Sequence, residues 1–231
     1  MTIAVAFAAL IVAFAWWRFH FFHRNPARRP PPGADPVSPA DGRILYVDDV
    51  ELTPDASNPY YRRVSTTFAV TGHWTVVATY LSIFDVHFVR APIAGRVRLH
   101  HIAPDESNRS MGGSFVYAAL RRPLPLAHRG YTEKNEFLGV SIENDDVRVL
   151  LVLMADWWID QIVALVEDGA IVQRGGLLGK IQMGSQVDFW VPSPRFGVTL
   201  APPATVRAGE TVFGVLAGPD RPPAQGTQKA D

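Results

Sequence analysis

From Ile3 to Trp17 the chain carries no polar side chain. Letting Arg18 and His20 reach back toward water extends the apolar stretch through Phe19, Phe21 and Phe22, to about the 20 residues that a bilayer requires. The pattern predicts an apolar anchor helix within residues 1–24. A buried or re-entrant helix is the other reading of a run this short. Arg18, Arg24, Arg28 and Arg29 follow the run, and Trp16-Trp17 sit at its end, where an aromatic belt falls. Charge on that side predicts a single anchor in the cell membrane with the rest of the protein on the cytoplasmic side. A secretory signal has the opposite order, basic before apolar.

Residues 25–37 are rich in proline and lack apolar periodicity, so they read as an extended spacer. Beyond them, residues 38–217 form the main domain. Short β-branched runs recur there, bounded by Gly, Pro or Asp: Arg43–Val47, Thr75–Tyr80, Val147–Leu153 and Thr211–Val215. The pattern Pro-x-x-Gly-Arg followed by a β-branched residue occurs twice, at Pro39–Ile44 and Pro92–Val97. Val172–Ile181 has the look of a hairpin in a biotinyl or lipoyl carrier, without that carrier's lysine tip. The fold class expected is mainly β, a β-rich α+β body of hybrid-barrel or β-sandwich type. Asp156–Val166 is the best helical candidate in the body. Residues 218–231 are polar and proline-rich and read as a disordered tail.

Composition removes several chemistries. The 22 basic and 22 acidic side chains cancel, and no basic run with interleaved aromatics suggests a nucleic-acid groove. The chain has no cysteine, which excludes disulfides, thiolate zinc sites and cysteine nucleophiles. Its histidines lack metal-ligand spacing, and His100-His101 on a strand would face opposite ways, so no metal is expected. Lys134, Lys180 and Lys229 are the only lysines, and none adjoins a phosphate-cradling glycine loop, so pyridoxal phosphate is not expected either.

Five segments carry the candidate chemistry: Phe21-Phe22-His23-Arg24-Asn25-Pro26, Ser38-Pro39-Ala40-Asp41-Gly42-Arg43-Ile44, Leu81 to Pro92 with Asp85-Val86-His87 inside it, Lys134-Asn135-Glu136, and Gly179 to Asp188 containing Gly184-Ser185. Alone, Gly184-Ser185 and Asp41-Gly42 are turn dipeptides. In this order and spacing, over roughly residues 20 to 215, the chain resembles the short form of the phosphatidylserine decarboxylase proenzymes, which make their own pyruvoyl group.

The resemblance implies that Ser185 attacks the Gly184 carbonyl in an N-to-O acyl shift. Elimination then frees a β chain ending at Gly184, and loss of ammonia leaves an α chain that starts with a pyruvoyl group in place of Ser185. That covalent cofactor would form a Schiff base with the substrate amine and act as electron sink during decarboxylation. A serine hydroxyl needs a base; His87 is the candidate, with Asp41 to orient and charge it, in the logic of a Ser-His-Asp triad. His87 is equally suited to protonating the carbanion after carbon dioxide leaves. Asn135-Glu136 falls either near the substrate amine or in a structural role. The partners implied are a membrane lipid substrate and the protein's own two chains as a heterodimer, open to further oligomerisation, with no nucleic acid.

Several cations of the family pattern are replaced. Arg90 stands where the long form has a second histidine, and Gln186 and Phe137 stand where the short form has arginines. Arginine is the preferred partner of a phosphodiester or carboxylate. Three functions follow: conversion of phosphatidylserine or a close serine-headgroup lipid to phosphatidylethanolamine and carbon dioxide; pyruvoyl-dependent decarboxylation of another amino-acid-like substrate; or a non-enzymatic, membrane-tethered hybrid-barrel module. Trp157-Trp158 are candidates for a second membrane contact.

Overall fold

The structure, a computed structural model, describes residues 2–103, 108–156, 162–182 and 185–217. Gly184, Trp157-Trp158 and the tail 218–231 lie outside the described residues. The apolar run forms helix α1, Thr2–Trp16, continued by a π-helical turn, Trp17–Phe21. Among the described residues no helix is long and apolar enough to cross a membrane.

The body is β-rich, as the strand-like runs predict. Eight strands make one curled antiparallel sheet. In chain order they are β1 (Gly42–Leu52), β2 (Gly72–Leu81), β4 (Gly95–Ile102), β5 (Phe137–Glu143), β6 (Arg148–Ala155), β8 (Ile171–Val172), β10 (Ser185–Pro192) and β12 (Thr205–Val206). A second sheet joins β3 (Phe88–Arg90), β9 (Leu177–Ile181) and β7 (Ile162–Ala164), and a third pairs β11 (Phe196–Val198) with β13 (Gly214–Leu216). Across the main sheet the order is β12, β1, β2, β10, β6, β5, β4, β8, which puts β10 at its centre. Alternation along these strands gives two cores. Ile44, Val77, Leu81, Val187 and Phe189 face the smaller sheets. Leu45, Val76, Ala78 and Trp190 face helices α2 (Pro59–Phe68) and α3 (Gly112–Ala119).

The repeated Pro-x-x-Gly-Arg pattern has a physical cause. Gly42 opens β1 and Gly95 opens β4, and a Cβ on either would meet a neighbouring strand's carbonyl oxygen, at 2.0 Å for Tyr80 and 2.5 Å for Glu143. Both glycines let the adjacent backbone approach.

Three sequence expectations are corrected. Within Asp156–Val166, Ile162–Ala164 is strand β7, because pairing with β9 and burial of Ile162 outweigh any local helical preference. Val172–Ile181 is not a hairpin: β8 pairs with β4 while β9 pairs with β3 and β7, and the intervening Gly175 (φ 80°) packs against Pro30. Of Thr211–Val215 only the end from Gly214 joins a strand. Helix α2 was not anticipated, although Tyr60, Val64 and Phe68 recur at the spacing of one helical face and Asn58 caps it by accepting from the Tyr60 and Tyr61 N–H groups, with Pro59 at its first position.

Residues 25–37 are laid along the body. Arg90 donates to the Asn25 side chain at 2.7 Å, Arg174 donates to the carbonyls of Pro31 and Asp35, and Arg28 bridges Asp41 and Glu210. Val37 and Ser38 donate backbone N–H groups to Pro92 and Thr211. Proline leaves carbonyls without competing local donors, and the arginines of the body take them.

Candidate active site

The chain leaves β2 at Leu81 and turns at once. Asp85 closes the turn: its carboxylate accepts the Ser82 N–H at 2.8 Å and the Ser82 hydroxyl at 2.7 Å, and its own N–H donates to the Ser82 carbonyl. The turn leaves the Asp85 carbonyl 3.0 Å from His87 Nδ1. A carbonyl can only accept, so Nδ1 carries the proton and Nε2 holds the lone pair. His87 is fully buried, and burial is the main reason its pKa falls to about 4, with the charges of Arg24 and Lys180 acting in the same direction. At neutral pH it is an uncharged base.

Its backbone leads to Ser185. The Ile181 N–H donates to the His87 carbonyl at 3.1 Å, and β3 pairs with β9 from Phe88 opposite Lys180. After β9 ends at Ile181 the chain enters β10 at Ser185, which lies opposite Leu81 on one side and Ala155 on the other. Ser185 is fully buried. Its Oγ and the Nε2 of His87 are both buried without a hydrogen-bond partner among the described residues. Such orphaned polar atoms cost about 1–3 kcal/mol each, and a self-reacting site is one reason to retain them. Neither is yet bonded to the other.

Asp41 is elsewhere engaged, contrary to the triad expectation. One carboxylate oxygen takes Arg28 at 2.7 Å and the other accepts the Ala208 N–H at 2.7 Å. Burial raises its pKa, opposed by the Ala208 N–H and by Arg28. The part given to Asp41, setting the imidazole tautomer, falls to the Asp85 main chain. Asn135 is structural: fully buried, it accepts from the Arg109 N–H and donates to the carbonyls of Arg109 and Ala155, so it braces the strand residue opposite Ser185. Phe137, in an arginine's place, lies under the Arg63 guanidinium, 4.3 Å from its ring centroid. Glu136 accepts from His101 at 2.9 Å.

Behind Ser185, on the opposite face of β10, is a network that sequence reasoning missed. Asp188 is fully buried and accepts from Tyr60 at 2.6 Å, Tyr46 at 3.0 Å and Gln186 at 2.6 Å, while Tyr131 donates to Gln186 and receives Ser114. Burial pushes Asp188 up to about 6 despite these donors. The network starts one residue after Ser185, so it holds the front of β10 in register whether or not the preceding peptide bond is intact. The alternation of Gln186 and Asp188 within an apolar strand was the available signal.

A β-rich body whose central strand opens on a buried serine, and which also buries a neutral histidine of fixed tautomer, each with a polar atom unpartnered among the described residues, has the makings of a self-processing proenzyme. The chain belongs to the phosphatidylserine decarboxylase family: the family's model matches residues 16–214. It is 31% identical over 199 residues to the phosphatidylserine decarboxylase proenzyme of Carboxydothermus hydrogenoformans, covering 86% of this chain and 79% of that one. It is 32% identical over 213 residues to the proenzyme of Symbiobacterium thermophilum, covering 91% and 84%. To that of Zymomonas mobilis it is 31% identical over 235 residues, covering 95% and 85%.

Proposed function

We propose that this protein cleaves itself before Ser185, builds a pyruvoyl group there, and decarboxylates phosphatidylserine or a close serine-headgroup lipid to the ethanolamine lipid. The buried Ser185 hydroxyl at the start of β10, unpartnered among the described residues, is the observation that carries the reading. His87 Nε2 takes the hydroxyl proton, Oγ adds to the carbonyl carbon of residue 184, and the amide nitrogen leaves carbon with that proton, giving an ester. Removal of the Ser185 α-proton expels the residue-184 carboxylate. Water replaces ammonia on the resulting dehydroalanine. The site fits the group because Ser185 is already enclosed, which keeps an α-keto amide from bulk water.

When formed, the pyruvoyl group supplies an electron sink conjugated to the substrate amine. The chain's own residues supply the rest. Burial of His87 and Ser185 keeps water from the substrate carboxylate, whose negative charge is lost as carbon dioxide leaves. The Asp188 network keeps the new chain end in place, and His87 is the group able to return a proton to the α-carbon.

Residues 1–24 hold the enzyme at the cytoplasmic face of the cell membrane in this reading. The support is the apolar surface of α1, with Ile3, Phe7 and Leu10 exposed, followed by Arg18, Arg24, Arg28 and Arg29. The two product chains stay together as a heterodimer, since β10 pairs with β2 and β6 of the other product. The test is incubation of purified protein with phosphatidylserine vesicles, beside Ser185→Ala. Carbon dioxide release by the wild type alone supports the function, and equal release by both removes it.

A further inference from the structure

A cavity of about 250 Å³ opens between the start of β1, the end of β2, the Ser82–Asp85 turn and α3. Arg43, Tyr80, Ser82, Asp85, Phe115 and Ala119 are in its wall. We infer that this cavity is the subsite for the anionic phosphodiester of a lipid substrate, with Arg43 as its counter-charge and the outward face of α3 as a lip against the bilayer. This rests on the decarboxylase reading and adds to it the origin of headgroup specificity.

The location fits. Tyr80 is the register partner of both Arg43 and Gln186, so Arg43 and Gln186 lie two strand spacings apart, about 10 Å between Cα atoms. Leu81, next to Tyr80, is opposite Ser185, and Asp85 carries the carbonyl that holds His87. In a serine phosphodiester only the ester oxygen and one methylene separate phosphorus from the α-carbon. Arg43, Tyr80 and Gln186 share the α3 face of the sheet while Ser185 faces the other way, so a headgroup with its phosphate in the cavity reaches residue 185 by passing round the start of β10.

The chemistry fits as well. Among the described residues Arg43 is the one cation in the cavity's wall. One of its terminal nitrogens donates to the Ala118 carbonyl, while its Nε is buried without a partner among the described residues. The remaining terminal N–H groups of this half-buried guanidinium match phosphodiester oxygens. The Asp85 carboxylate in the same wall is already occupied by two Ser82 donors. Arg43 thus supplies the charge missing at Gln186 and Phe137, from a different strand.

The surroundings select a lipid. Helix α3 buries Ser114 and Ala118 and turns Phe115 and Val116 outward, 53% and 48% exposed, with Leu120 beyond its end at 60%. Arg121 and Arg122 follow, exposed. Across the cavity Phe84 is 63% exposed on the turn, and its carbonyl receives Arg24, which ties the turn to the end of the apolar amino-terminal segment. An apolar surface edged by arginines suits an anionic bilayer. Acyl chains would leave over this lip while the headgroup entered.

The test compares two substrates sharing the serine amine and carboxylate: short-chain soluble phosphatidylserine, and O-hexanoylserine, which lacks the phosphate. On the full chain after maturation, Arg43→Ala should raise KM for the phospholipid roughly tenfold to hundredfold, the worth of a charged hydrogen bond, with kcat changed far less. The preference for phospholipid over O-hexanoylserine should collapse by the same factor, and Arg43→Lys should recover part of it. Val116→Ser with Leu120→Ser should lower turnover of phosphatidylserine in phosphatidylcholine vesicles relative to turnover of the soluble lipid. Should Arg43→Ala fail to fold, the wild type decides: glycerophosphoethanolamine should inhibit competitively and ethanolamine should not. An unchanged substrate preference in Arg43→Ala, or equal inhibition by the two amines, overturns the assignment and leaves Arg43 a structural cap on α3. A wild type that neither matures nor releases carbon dioxide would instead defeat the decarboxylase reading itself.

Discussion

The ring of Phe22 lies on the imidazole of His87, their centroids 4.3 Å apart and their planes inclined by 38°. Phe22 ends the amino-terminal apolar segment and is fully buried. The segment that would locate the protein at a membrane also roofs the candidate base and helps to keep it dry. Location and chemistry are joined at one residue.

Removing that roof should change the base. Phe22→Ala admits water, so the pKa of His87 should rise from about 4 toward its ordinary 6.5. In the wild type the rate of self-cleavage should climb through about pH 4 and level off above it, because the neutral imidazole is the active form. The variant's midpoint should move upward by a pH unit or more. A gel time course across pH reads this directly, and coincident midpoints would separate Phe22 from the chemistry.

His87 and Asp41 should fail differently. His87→Ala removes the base and should accumulate uncleaved chain. Asp41→Asn leaves the His87–Asp85 hydrogen bond untouched and should cleave within a few-fold of the wild-type rate. It should lose about 2 kcal/mol of stability, since Arg28 keeps only Glu210. Maturation rates and urea midpoints for both variants test this. Arrest of cleavage in Asp41→Asn would restore the triad arrangement that the structure does not show.

Stability should hide two opposed titrations. Asp188 is raised from 3.8 to about 6, so its contribution is present below about pH 4 and lost as pH rises through 6. His87 is lowered from 6.5 to about 4, so its contribution is present above 6.5 and lost as pH falls through 4. Each shift is on the order of 3 kcal/mol, and in the uncleaved Ser185→Ala protein they should largely cancel between pH 4 and 6.5. Adding Asp188→Asn should leave a urea midpoint that rises with pH over that window. Adding His87→Gln should leave one that falls. Flat profiles in both double variants would contradict the two burials.

The sequence displayed the strands better than the site's connections. Runs such as Thr75–Tyr80 and Val147–Leu153 are β-branched and punctuated, and they lie within or overlap β2 and β6. Strand β7 was not legible because three residues acquire their conformation only from β9. His87 and Ser185 could be singled out as candidates through their motifs. The group that orients His87 was not, because a main-chain carbonyl leaves no mark in residue type. The partner of Asp41 was equally hidden: Arg28 comes from a proline-rich stretch whose docking depends on arginines and carbonyls far away in the chain. Arg43 was visible only as part of a repeated turn, and its place in a cavity wall required the three-dimensional neighbourhood of α3.

Conversion of Ser185 is the central claim, and the intact mass of the purified protein tests it most directly. The account expects two chains, residues 1–184 and a second beginning at position 185, whose summed mass exceeds that of the precursor by one water less one ammonia. The second chain should resist Edman degradation and gain mass when reduced with cyanoborohydride in the presence of an amine. Ser185→Ala should give one chain of full length. A single intact wild-type chain after prolonged incubation in detergent, or two chains whose sum exceeds the precursor by a whole water, would contradict the account.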